Sequence, residues 1–155
     1  MRYFFGGLVI LLVMIGTARG GEEFTPAQAR NYFDHHERTL NALVHLVSEC
    51  KGRGTISIYP SGNVLAAHAS TVRCPLSNNI STQLKTADVL WVNVSGDEPY
   101  GRQGPFGAMF VLFSRGLVGS GHGSAIYYFP TLEKNPFGDS VPLAGTPGHW
   151  FYRRY

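Results

Sequence analysis

The stretch TPAQARNYFDHHERTLNALVHLVSEC, residues 25–50, constrains the fold most. Ala29, Phe33, His36, Leu40, Leu43, Val47 and Cys50 recur in steps of four and three, which draws one apolar stripe along a helix. Tyr32, Val44 and Leu46 widen that stripe, while Arg30, Asp34 and Arg38 repeat by four on the opposite side and can pair there. Thr25 with Gln28 has the form of a capping box, and Pro26 suits the first helical position. Lys51, Arg53 and two glycines then stop the element. A helix with one apolar face must bury it on something, and the next residues supply a sheet.

The period changes to two at TISIY, with Ile56 and Ile58 directed inward. PSGN is a turn, and VLAAHAS can return as a second strand. SNNISTQLKTAD places Ile80, Leu84 and Ala87 at helical spacing and reads as a short helix. VLWVNVS and SAIYYF read as strands. AMFVLF is apolar without alternation, as expected of a central strand covered on both faces. HWFYRR is expected to form a last, edge strand. The fold class is therefore α+β: one long N-terminal helix packed on an antiparallel β-sheet of four to six strands.

MRYFFGGLVILLVMIGTARG precedes all of this. Arg2, the apolar run from Phe4 to Ile15 and the small-residue exit Ala18-Arg19-Gly20 have the form of a secretory signal peptide, residues 1–20. The run is short for a membrane span. Residues 21–155 form a single domain. The whole chain has 13 Lys and Arg against 10 Asp and Glu. Without Arg2 and Arg19 the balance is close to neutral, which is no electrostatic footprint for DNA or RNA. Export makes a disulfide between Cys50 and Cys74 the expected state, and it would pin the helix to the sheet segment after Arg73. Asn79-Ile80-Ser81 and Asn93-Val94-Ser95 are glycosylation sequons, of which Asn79 is the better placed because Asn93 falls in a strand.

The chemistry-bearing motifs are few. FSRGLVGSGHGSAIYYFP carries Gly116, Gly119, Gly121 and Gly123 but lacks the Gly-x-Gly-x-x-Gly spacing and the following helix of a dinucleotide loop. It also lacks the Gly-x-Ser-x-Gly elbow. Ser120 and His122 have no fixed partner acid, so the stretch reads as the bend of a hairpin. His35 and His36 are adjacent on a helix and diverge by about 100°; no metal site and no cofactor is expected. His36 lies on the apolar stripe and reads as a core histidine. Glu22-Glu23 and Asp97-Glu98 supply no acid and base across a cleft.

The order of these features resembles the fungal guanyl-specific ribonuclease family: small secreted proteins with one helix on an antiparallel sheet. The likeness is carried by TPAQA at the helix start, IYPSG at Ile58–Gly62, the hairpin FVLFSRGLVGSGHGSAIYYF and LAGTPGH at Leu143–His149. Carried over residue by residue, the family's sheet tyrosine is Tyr59 and its C-terminal catalytic histidine is His149. Its other histidine, its general-base glutamate and its phosphate-stabilising arginine fall on Ser61, Met109 and Ile126. The chain departs from the family in its internal disulfide and its longer helix. The resemblance implies a pseudoenzyme, like the RNase-like effectors that plant-pathogenic fungi, powdery mildews above all, secrete. Such a protein would be a monomer that binds a host protein, or RNA, through a remnant cleft at Tyr59 and His149, with no membrane contact after signal cleavage. The comparison requires Tyr59, Met109, Ile126 and His149 to line one sheet face. Two other readings stand beside it: a bacterial periplasmic inhibitor or immunity protein of a cell-wall hydrolase, and an active exported ribonuclease or hydrolase using His68, His122 or His149.

Overall fold

A computed structural model describes residues 23–95, 107–115, 122–130, 138–143 and 149–155. The leader, the Asp97-Glu98 loop, Ser120 and most of the glycine bend lie outside the described residues.

Helix α1 spans Pro26–Ser48, and its start is the capping box. The Gln28 N–H donates to Thr25 Oγ1 at 3.2 Å, and the Thr25 N–H donates back to Gln28 Oε1 at 2.7 Å. Two otherwise orphaned N–H groups are thereby satisfied, which is worth about 1 kcal/mol. Ala29, Phe33, Leu40, Leu43 and Val47 are buried along the expected stripe.

Past the helix, Gly52 takes φ +126°, and a Cβ there would lie 2.6 Å from the Thr71 carbonyl oxygen, so only glycine fits. The Lys51 and Arg73 backbones bridge beside it at 3.0 and 2.8 Å. The Cys50–Cys74 disulfide follows the same line, with Cα atoms 4.2 Å apart. It ties the end of α1 to a connecting segment rather than to a strand of the sheet.

The remaining elements are β1 (Thr55–Ile58), β2 (Val64–Ala66), α2 (Ser77–Thr86), β3 (Trp91–Ser95), β4 (Ala108–Arg115), β5 (His122–Tyr128), β6 (Val141–Pro142) and β7 (Trp150–Arg154). The strands form one 7-stranded sheet in the order β2-β1-β3-β4-β5-β7-β6. Every pairing is antiparallel. Two points differ from the sequence expectation. The count exceeds six because the two-residue β6 is too short to show any periodicity. For the same reason the last strand is not an edge: β6 pairs outside β7, and Pro142, which has no N–H to give, sits at that rim.

The core lies between α1, α2 and one sheet face. Ile56, Ile58, Val92, Val94, Phe110, Ile126, Trp150 and Tyr152 meet the α1 stripe together with Ile80 and Leu84 of α2. Each fully buried large side chain contributes roughly 1.5–3 kcal/mol. Tyr152 donates its hydroxyl hydrogen to the Phe24 carbonyl, and Tyr32 donates to the Ala87 carbonyl, so both phenols enter the core without an orphaned polar atom.

The other face of the sheet has its own cluster of Val111, Ala125, Tyr127, Phe129 and Phe151, joined by Leu90, Trp91 and Met109. Apolar residues on both faces explain why AMFVLF does not alternate. Val111 and Leu112 are both buried, but in the two different clusters, and the pairing of β4 with β5 shifts register between Val111 and Phe113.

Candidate functional site

The face turned away from α1 is organised by register. Ser57 pairs with Asn93, Asn93 with Met109, Met109 with Tyr127 and Tyr127 with Phe151. Directly opposed residues share a face, so these five side chains form one row across five strands. Ser57 Oγ donates to Asn93 Oδ1 at 2.6 Å, and Asn93 Nδ2 reaches Met109 Sδ at 3.6 Å. Beside the row, Tyr59 and Trp91 stack at a 30° tilt with ring centroids 5.8 Å apart. Tyr59, Ser57, Trp91, Asn93 and Met109 are all half-buried, whereas Tyr127 and Phe151 are buried. Burial pushes the Tyr127 phenol up to about 12, so it stays neutral and can donate a hydrogen bond at physiological pH. Arg153 closes this side with an ion pair to Asp139 at 2.9 Å.

The residues singled out from the sequence are only partly brought together. Tyr59 and Met109 share the outer face. Ile126 does not: it is fully buried in the helix-side core and pairs with Phe110. Alternate residues of a strand point to opposite faces, so the outward residue across from Met109 is Tyr127. Ser61 is exposed in the β1–β2 turn, where its Oγ accepts from the Asn63 N–H at 3.4 Å.

His149 is half-buried and hydrogen-bonded but far from Tyr59. Its Nδ1 donates to the Phe129 carbonyl at 2.7 Å; a carbonyl only accepts, so Nδ1 carries the proton and Nε2 is the basic nitrogen. It precedes β7, whereas Tyr59 follows β1, and β3, β4 and β5 stand between them. Four strand spacings put the two about 19 Å apart across the sheet. They do not share a cleft, and the four positions do not line one face.

The other candidate histidines are also dispersed. His68 is exposed just past β2, and His122 is exposed at the far end of β5 from the Phe129–His149 pair. His36 is half-buried with its ring 4.5 Å from that of Tyr32. Desolvation, aided by the charge of His35 and opposed by Asp88, lowers its pKa. Among the described residues no group of three or more His, Cys, Asp or Glu is placed to hold a metal ion.

Asn79 is exposed on α2, as an acceptor must be, whereas the Asn93 amide is engaged in the sheet. No helix among the described residues is long and apolar enough to cross a membrane. Of the β4–β5 hairpin, the strands are in place with Arg115 opposite His122. Gly123 has a further role there: a Cβ would lie 2.4 Å from the Tyr155 ring, which rests against its backbone.

Trp91, Asn93 and Ser57 were not singled out in advance for this face. Their signal was present as the outward half of WVNVS and TISI, once Val92, Val94, Ile56 and Ile58 are taken as inward. No protein-family model, no curated protein and no solved structure matches the chain.

Proposed function

We propose that the chain is an exported, non-catalytic binding module that uses the sheet face opposite α1 to engage a host protein. The observation that carries this reading is the row Ser57–Asn93–Met109–Tyr127 with the Tyr59–Trp91 pair beside it. These side chains offer stacking area, a thioether and neutral hydrogen-bonding groups. None of them is a general base near pH 7, which hydrolysis of RNA would require beside a phosphate. Aromatic and Met side chains at the centre of a patch are the usual anchors of protein recognition.

The effector role follows the likeness to RNase-like effectors in element order. It does not rest on a remnant cleft, because Tyr59 and His149 stand apart and Ile126 is internal. If the ribonuclease comparison is kept, its arginine position moves by one residue to Tyr127.

Affinity capture from plant leaf extract tests the reading. The wild-type chain is expected to retain a protein after nuclease treatment of the extract, and Tyr59→Ala and Met109→Lys to lose it while keeping the wild-type circular dichroism spectrum. Capture that disappears on nuclease treatment assigns the face to RNA. Equal capture by the two variants removes the face from the interaction.

A further inference from the structure

Among the described residues the sheet ends at β2, and that edge has the chemistry of a second, separate docking site. Hydrogen bonds to β1 use the odd-numbered residues: the Tyr59 N–H donates to the Asn63 carbonyl at 2.9 Å and the Ala67 N–H to the Thr55 carbonyl at 3.0 Å, with Leu65 opposite Ser57 between them. In an antiparallel ladder the residues between such pairs turn their N–H and C=O groups away from the partner. Val64 and Ala66 therefore present two N–H and two C=O groups at the open rim. All three residues of β2 are exposed, with Val64 at 44% and Leu65 at 58%. An exposed apolar edge of this kind is a template for another strand.

Two further observations specify the occupant. On the helix side of β2 a groove of about 460 Å³ is lined by Ile56, Val64, Val72, Arg73 and the Cys74–Pro75 turn. A strand added beyond β2 directs alternate side chains to that side, so one of them can lie in the groove and the next-but-one can reach Arg73. The surrounding chain is cationic: residues 49–74 hold Lys51, Arg53 and Arg73 against the single acid Glu49, and the three cations are exposed.

We infer that the β2 edge binds an extended peptide segment of a partner protein by strand addition, with an apolar side chain in the groove and a carboxylate two residues away on Arg73. A second copy of this chain fits less well, because edge-to-edge pairing brings two cationic corners together. The site lies at a sheet edge and does not depend on the outer-face reading.

The experiment uses the purified protein with its disulfide intact and a display library of random eight-residue peptides. The expected product is a family with an apolar residue two positions away from an Asp or Glu. A synthetic member of that family is then N-methylated at alternate amides. Methylation of one alternate set should weaken binding at least tenfold, and methylation of the other set should leave it unchanged. Ala66→Pro, which removes an outward N–H at an edge where proline is tolerated, should also weaken binding at least tenfold. Arg73→Glu should turn the selected preference from acidic to basic side chains. Absence of an enriched family, or binding indifferent to both methylation sets and to Ala66→Pro, overturns the proposal, as does a family without acids that ignores Arg73→Glu. A dimer in sedimentation that Ala66→Pro dissociates gives the edge to a second copy and overturns the peptide occupant.

Discussion

On the side of the sheet that meets α1, Ile58, Val92, Phe110 and Ile126 are fully buried in a largely apolar core. On the other side the same strands place Ser57, Asn93 and Met109 in a hydrogen-bonded row that is half open to solvent. Adjacent residues of one strand thus have opposite tasks. Phe110 and Ile126 hold the domain together, whereas Met109 and Tyr59 are exposed enough to meet a partner. The fold and the proposed recognition surface can be altered separately, within limits set by how deeply each residue is buried.

Substitutions on the helix side should have the largest effects. Ile126→Arg would bury a charge with no partner in an apolar core and should abolish folding, which circular dichroism would read directly. Phe110→Ala should cost about 3–5 kcal/mol in a denaturant titration, against less than about 1 kcal/mol for the half-exposed Met109→Ala. Equal losses at residues 109 and 110 would break the comparison between the faces.

Next comes the tie at the end of α1. Replacing Cys50 and Cys74 together by Ala releases a bridge spanning 24 residues, worth about 3–4 kcal/mol in the chain-entropy account. The loss should appear in the denaturation midpoint, with the outer face unchanged in its binding. Gly52→Ala should cost roughly 1–3 kcal/mol because the backbone conformation is strained for any other residue and the Thr71 carbonyl blocks the Cβ. Gly62→Ala shares the positive φ but meets nothing within 4 Å, so it should cost less.

The smallest effect is a pH slope from His36. Its folded-state pKa is lowered by desolvation first and by His35 second. The unfolded chain therefore takes up the proton first. This contribution to stability is whole above about pH 6.5, the ordinary histidine value, and is lost as pH falls through the lowered folded value. His36→Gln should flatten the stability profile across that window. An unchanged profile would place the slope on another group.

Much of the frame was legible in the sequence. The α1 stripe, its capping box, the inward Ile56 and Ile58, the two-sided strand AMFVLF and the Cys50–Cys74 pair all depend on local spacing or on there being only two cysteines. What could not be read depends on non-local register. Whether Ile126 or Tyr127 stands opposite Met109 is a shift of one residue, and that shift exchanges one face of the sheet for the other. The distance from Tyr59 to His149 depends on strand order, which places three strands between theirs. A two-residue strand such as β6 has no period to detect. Short motifs such as IYPSG and LAGTPGH therefore located their own residues and gave no measure of their separation.

The most direct test of the account is turnover of single-stranded RNA by the purified wild-type chain beside His149→Ala. The account expects the two to be indistinguishable from buffer, because among the described residues the positions carried over for a base and a charge stabiliser, Met109 and Ile126, do not share a site with His149. Cleavage by the wild type that His149→Ala abolishes would contradict it and return the chain to the enzymes.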